Sequence, residues 1–227
     1  MTLHQLPIAN KERVIIVGAG IGGLAASLRL SHMGYNVKVI ETAQTGGGKL
    51  RTITGQTGEI DIGPTVLTLL PVFQNLFKSV GEDIFEHVEL VRQKIIARHW
   101  WPDGETLDLY DDFETSRDAI LNFSGSDSAK EFEKYFYDTR DLFSCFDIPV
   151  MRNPNPSMLD MNRAVLNNPK ILFKMHPLRT LSSLLNYKFR DSRLQQLFGR
   201  YSTYVGGSPL ESPCLLYTSD AADDVEC

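Results

Sequence analysis

An α/β fold is predicted by three features near the start of this sequence: a β-branched run that stops at a glycine, a glycine-opened helix behind it, and a second apolar strand closing on an acid. The first strand, Arg13–Val17, lacks polar alternation, which suits a short strand buried on both faces of a parallel sheet. In the turn Gly18-Ala19-Gly20-Ile21-Gly22-Gly23, Gly18 permits the tight bend and Gly20 lets phosphate oxygens approach bare main chain. Gly23 allows the helix to pack directly on the strand. The helix, read as Leu24–Met33, is rich in Ala and Leu and ends at Gly34, a left-handed cap. Its N-terminus offers unpaired N–H groups and partial positive charge, so a diphosphate sits there favourably. Val37–Ile40 forms the second strand, and Glu41 follows about 20 residues beyond the glycines, where a carboxylate accepts hydrogen bonds from ribose hydroxyls. An acid at this position repels a 2′-phosphate and argues against NADP. The segment therefore reads as a βαβ dinucleotide-binding unit.

Three consecutive glycines, Gly46, Gly47 and Gly48, come next, with Lys49 and Arg51 behind them and then Asp61-Ile62-Gly63-Pro64-Thr65. Read alone, this is either a second phosphate-cradling loop or a flexible hairpin loop with solvated cations. Val72, Phe73, Leu76, Phe77 and Val80 recur at helical spacing before Gly81, predicting a helix over Val72–Val80. Arg92–Tyr110 reads as a β-hairpin turning at Pro102-Asp103-Gly104-Glu105. Its Trp100 and Trp101 are either sheet-packing aromatics, which strands favour, or include one wall of a substrate tunnel.

Asp111–Asp147 is acidic and helical in pattern, with Phe132, Tyr135, Phe136, Leu142, Phe143 and Phe146 as core positions and most carboxylates on a solvated face. Pro149–Pro156, broken by prolines and asparagines, reads as a loop. The charge then reverses. Arg163, Lys170, Lys174, Arg179, Lys188, Arg190, Arg193 and Arg200 occur with Asp191 as the sole acid among them, interleaved with Leu172, Phe173, Met175, Leu178 and Tyr187. Two readings stay open. The stretch is an interfacial segment on anionic lipid, each cation near the surface contributing about 1 kcal/mol, or an internal helix pair whose cations reach water.

Composition places the chain among soluble globular proteins: 42% of its 227 residues are hydrophobic and the net charge is −5, which argues against a nucleic-acid partner. No apolar run approaches the roughly 18 residues needed to span a bilayer, and Met1–Lys11 carries no apolar core of a secretory signal. Cys145 is the only cysteine before Cys214 and Cys227, so no internal disulfide framework is expected, in keeping with a reducing cytoplasm. No metal site is expected.

The glycine and acid motifs resemble those of the flavoprotein superfamily of amine oxidases and carotenoid desaturases. There, a Gly-Gly-Arg/Lys segment after the ribose acid contacts FAD, and an Asp-x-Gly-Pro segment lies near the isoalloxazine ring. The resemblance implies that Gly47, Gly48, Lys49 and Arg51 serve in the first role and Asp61, Gly63, Pro64 and Thr65 in the second. Gly18, Ala19, Gly20, Gly22, Gly23 and Glu41 would hold the ADP end. Three longer stretches, 63–77, 97–109 and 191–209, are similar to the bacterial phytoene-desaturase-type family, and within it to the hydroxycarotenoid and methoxycarotenoid 3,4-desaturase branch. The likeness runs from Arg13 to Pro213.

It implies a Rossmann-like FAD-binding domain begun by residues 1–90, with an inserted α+β substrate domain begun in 91–213, the whole truncated at its C-terminus. Residues 214–227 break the family pattern and read as a translated sequencing adapter, a scar excluded from fold reasoning. On that expectation later segments complete the nucleotide sheet and the FAD site, and this chain alone is inactive. The implied chemistry is desaturation of carbon–carbon single bonds in an acyclic carotenoid of the hydroxyneurosporene, methoxyneurosporene or phytoene type. A hydride goes to FAD, a proton leaves the neighbouring carbon, and oxygen or a quinone takes the electrons. An insoluble substrate also implies peripheral contact with the inner face of the membrane.

No catalytic residue is assigned. His99, His176, Asp61 and Glu114 are titratable, but an isolated histidine is more often a structural hydrogen-bonder, and Arg152 could hold a substrate hydroxyl or face solvent. Two other functions remain open: a flavin amine oxidase of the same fold, and a non-enzymatic module binding prenyl lipid or carotenoid.

Overall fold

Two strands, β1 (Arg13–Val17) and β2 (Asn36–Ile40), pair in parallel with Val14 opposite Val37 and Ile16 opposite Val39, and α1 (Ile21–His32) is the crossover between them. The structure, a computed structural model, describes residues 12–64, 67 and 69–214, and the chain divides into units 1–91 and 92–227. In the first unit, Val14, Ile16, Val37 and Val39 are half-buried on one face of the sheet. Ile15, Val17 and Ile40 lie on the other and are exposed, Val17 at 84%. The expected burial of β1 on both faces is therefore not met among the described residues, because one crossover helix covers one side only.

Helix α1 starts three residues earlier than the sequence pattern placed it, since Gly22 and Gly23 join its first turn. It stops at the expected Gly34, whose φ of 93° is left-handed, with the Tyr35 N–H donating to the Leu30 carbonyl. A short antiparallel hairpin follows, β3 (Thr52–Thr54) with β4 (Glu59–Asp61), Thr52 opposite Asp61. Helix α2 (Leu70–Lys78) also starts earlier than expected, because Pro71 suits the first turn, where its missing N–H costs nothing.

The second unit opens with β5 (Ile95–Trp100) and β6 (Thr106–Tyr110), turning where the sequence put the turn, and bulged between Ile95 and Ala97. Arg98 grips Asp108 across the pair with two contacts of 2.6 Å. Leu107 and Leu109 of β6 face the core. Helix α3 (Phe113–Phe146) is capped by the Asp112 carboxylate, which accepts from the Thr115 N–H, and it breaks at Gly125 (φ 85°, ψ 177°). Phe132, Tyr135, Phe136, Leu142 and Phe146 are buried as expected, and Phe143 is half-buried.

The chain then makes a wide π-type turn, Asp147–Met151, which takes up the first part of the expected loop. Four helices follow: α4 (Met158–Asn167), opened by a Ser157/Asp160 capping box, α5 (Leu172–Met175), α6 (Leu181–Lys188) and α7 (Ser192–Gly199). A 3-10 segment, Arg200–Val205, closes the run. The core joins β6, α3, α6 and α7, with the rings of Phe189 and Phe198 stacked 5.0 Å apart beside Tyr135.

The basic stretch is in part neutralised within the fold. Lys188 and Lys174 approach Asp138 at 2.6 and 3.0 Å, Lys174 also meets Asp141 at 2.6 Å, and Arg190 reaches Asp127 and Glu131. Arg193 pairs with Asp191 at 2.8 Å. The partners of the first three cations lie on α3, so the expected solvated acidic face is in part the neutralising surface for α5 and α6. Among the described residues no helix is long and apolar enough to cross a membrane. Cys145 is half-buried, and Cys214, the first residue of the stretch read as a scar, is buried with its Sγ 3.2 Å from the His176 carbonyl. Residues 215–227 lie outside the described residues.

Candidate dinucleotide-binding site

Three loops of the first unit meet at the carboxyl end of β1. Gly18 bends with φ at 100° and donates its N–H to the Ile40 carbonyl at 2.7 Å, tying the turn to the end of β2. A Cβ on Gly23 would stand 2.0 Å from the Gly18 carbonyl oxygen, so the helix starts against the strand at a distance only hydrogen allows. Gly20 is the N-cap of α1, and no side chain caps the helix, which leaves the first-turn N–H groups facing outward with the positive end of the dipole.

The second glycine loop packs directly on the first. The Gly47 N–H donates to the Ala19 carbonyl at 2.8 Å, and a Cβ on Gly48 would come within 3.0 Å of the Gly20 Cα. Gly47 itself has φ at 124°, a conformation L side chains rarely adopt. The third segment locks against the second: a Cβ on Gly63 would lie 2.0 Å from the Lys49 carbonyl oxygen, and the Ile62 N–H donates to Arg51. Lys49 and Arg51 are exposed, and neither has an ion-pair partner among the described residues. Asp61 and Pro64 are also exposed, while Thr65 lies outside the described residues.

Glu41 does more than the sequence indicated. Its Oε2 accepts from the Ala19 N–H at 2.6 Å, and Oε1 accepts from the N–H groups of Thr42 and Ala43 at 2.8 and 3.0 Å. Hydrogen bonds from Ala43, Ala19 and Thr42 hold the carboxyl down at about 2, so it stays anionic. One carboxylate thus fastens the glycine turn to the end of β2, a contact that residue types alone do not reveal. A cradle of main chain at an uncapped helix end, with an acid at its edge and two cations nearby, fits the ADP portion of a dinucleotide.

The other candidates singled out from sequence lie apart from this cradle in the chain. Glu114 pairs with Arg117 at 2.6 Å and Arg152 with Asp147 at 2.7 Å, so both have structural partners. His176 sits in a left-handed bend beside the Tyr187 ring, and burial together with the Lys188 and Arg179 charges lowers its basicity. Trp100 is 69% exposed. Trp101 is half-buried against Phe123 and donates its Nε1–H to Gln196 at 3.1 Å, so it packs as a core-edge aromatic.

Residues 16–82 match the model of the NAD(P)-binding Rossmann-like domain. The chain is 41% identical over 211 residues to the hydroxyneurosporene desaturase of Cereibacter sphaeroides, covering 93% of this chain and 43% of that protein. It is 39% identical over 207 residues to the same enzyme of Rhodobacter capsulatus, covering 91% and 42%. A third hydroxyneurosporene desaturase, from Rubrivivax gelatinosus, is similar at 37% identity over 209 residues. The chain spans about two fifths of the length of these curated relatives. Among solved structures, putrescine oxidase bound to putrescine matches with a TM-score of 0.59 at 17% identity, over 93% of this chain and 41% of that one. This likeness establishes a shared fold, and the chain's own β1-α1-β2 unit falls largely within the segment that matches the Rossmann-like domain.

Proposed function

We propose that this chain belongs to an FAD-dependent desaturase that introduces carbon–carbon double bonds into an acyclic carotenoid. The reading rests on one observation above all: two interlocked glycine loops and a buttressed acid, in a chain 37–41% identical to hydroxyneurosporene desaturases over about nine tenths of its length. Gly18, Ala19, Gly20, Gly22 and Gly23 would receive the pyrophosphate, Glu41 the ribose, and Gly47, Gly48, Lys49 and Arg51 the phosphates from the other side. Asp61, Gly63, Pro64 and Thr65 would lie toward the flavin ring. When bound, FAD supplies the hydride acceptor for removal of hydrogen from an allylic carbon.

Peripheral membrane contact fits the exposed side chains of the second unit. Leu166, Phe173 and Leu178 are 77, 85 and 98% exposed, and Met158 and Leu159 are exposed as well, with Lys170 and Arg163 nearby in sequence. Apolar side chains beside cations suit a surface resting on anionic lipid, from which an insoluble polyene is taken up.

The test is the complete gene product, purified and examined for flavin absorbance and for lengthening of the conjugated system of an acyclic carotenoid. The expected protein is yellow and shifts carotenoid absorption to longer wavelength. Gly20→Val, whose γ-carbons would press on Gly48, should lose the flavin while still accumulating. A colourless wild type after reconstitution with excess FAD refutes the proposal.

A further inference from the structure

Within the second unit the apolar interior falls into two clusters that share no residue. The larger joins β6, α3, α6 and α7. The smaller joins the last turns of α3, through Leu142 and Phe146, to Met161, Val165, Ile171 and Met175. Residues 152–176 are thus seated on α3 through a small core of their own. Both ends of this segment leave regular helix: the wide π-type turn Asp147–Met151 precedes it, and His176, with φ at 42°, ends it. A cleft of about 360 Å³, lined by Ser144, Cys145, Arg163, Ala164 and Asn167, parts α4 from the end of α3.

The outer side of the segment is both apolar and cationic. Leu166, Leu172 and Phe173 are exposed, as are Arg163 and Lys170, which make no ion pair among the described residues. Lys174 instead ties the segment to α3, 3.0 Å from Asp138 Oδ1 and 2.6 Å from Asp141 Oδ2. Asp138 does not depend on that tie, because its other oxygen meets Lys188 of α6 at 2.6 Å. Lys174 can therefore leave without stranding a partly buried carboxylate, the usual penalty for breaking such a pair. Asp141, half exposed, is rehydrated by water. Exposed carboxylates hold a lysine weakly, whereas a sheet of lipid phosphates attracts Arg163, Lys170 and Lys174 together.

Resting on the membrane contact proposed above, we infer that residues 152–176 form a flap that an anionic bilayer draws off α3, Lys174 exchanging its two carboxylates for lipid phosphates. The side chains bared on both surfaces, Ile171 and Met175 on the flap and Leu142 and Phe146 on α3, then face lipid rather than water. A bilayer supplies anions and hydrocarbon at once, while salt would screen the pairs and leave these side chains wet.

Cys145 reports the opening. It is half-buried with its Sγ 3.6 Å from the Ala164 carbonyl of α4, so the seated flap shields it. The complete flavin-loaded enzyme is treated with N-ethylmaleimide in buffer, with phosphatidylcholine vesicles and with phosphatidylglycerol vesicles, and modification of Cys145 is timed by mass spectrometry. Labelling is expected to be faster by about tenfold or more on phosphatidylglycerol and unchanged on phosphatidylcholine. Lys174→Gln and, as a milder change, Asp141→Asn should speed labelling in buffer and narrow the gap between buffer and phosphatidylglycerol. Equal rates in buffer and on phosphatidylglycerol, with the protein bound to those vesicles by flotation, overturn the inference, as does equal acceleration by both lipids. A protein that floats with neither vesicle refutes the membrane contact itself.

Discussion

Gly22 and Gly23 are adjacent, identical and both in the first turn of α1, yet the same substitution should act in opposite directions at the two positions. A methyl group on Gly23 would meet the Gly18 carbonyl oxygen at 2.0 Å and its carbon at 3.1 Å, with Ile16 Cγ2 at 3.4 Å. Main chain cannot rotate away as a side chain can. Relief requires α1 to move from the end of β1 by about 1 Å, at an overpacking cost of about 1–3 kcal/mol. Alanine returns about 1 kcal/mol of helix propensity, leaving Gly23→Ala net destabilising by up to about 2 kcal/mol. On Gly22 nothing lies within 4 Å of the added carbon, so Gly22→Ala keeps the propensity gain and stabilises by up to about 1 kcal/mol. Urea unfolding of the two purified variants, followed by circular dichroism in the absence of FAD, should separate them by about 1–3 kcal/mol, the overpacking cost alone, since the propensity gain is common to both. Coincident midpoints, or a more stable Gly23→Ala, would show that the turn is looser than described and that the strand–helix contact does not set the cradle's shape.

Acid should weaken the second unit through Asp191, the N-cap of α7. Hydrogen bonds from Arg193 foremost, opposed by partial burial and reinforced by Ser124, lower its carboxyl from 3.8 to about 2. A depressed carboxyl contributes stability that is complete above its unfolded value and is lost as pH falls toward the folded one. Asp191→Asn should therefore flatten the fall in melting temperature between about pH 4 and pH 2, and an unchanged slope in that window would contradict the pairing. At the exposed apolar surface, Phe173→Ser with Leu178→Ser should reduce co-flotation of the complete protein with anionic vesicles by roughly tenfold or more, from the lost burial of two large side chains. Equal flotation with unaltered folding would place membrane contact elsewhere.

What the sequence displayed, and what it hid, divide along contact distance. The roles of Gly18 and Gly23 were legible because strand, turn and helix are consecutive, so spacing alone implies the close approach. The aromatic positions of α3 were legible from periodicity, since Phe132, Tyr135 and Phe136 share one face. Gly125 passed unmarked because the helical pattern resumes in register beyond it. The basic stretch looked unpaired because the partners of Lys174 and Lys188 on α3 are 33 to 50 residues away, as with Lys174 to Asp141 and Lys188 to Asp138. Glu41 was assigned to the ribose by position, but its hold on Ala19 needed coordinates.

The near-contact between Gly48 and Gly20 has a practical corollary for engineering. Because a carbon added to Gly48 would come within 3.0 Å of the Gly20 main chain, the two turns are fitted to each other: a chimaera that imports the first turn from another nucleotide-binding protein should bring along that protein's second turn. Swaps that respect the partnership should keep the coenzyme, and swaps that split it should discard the coenzyme even when every phosphate-facing residue is retained.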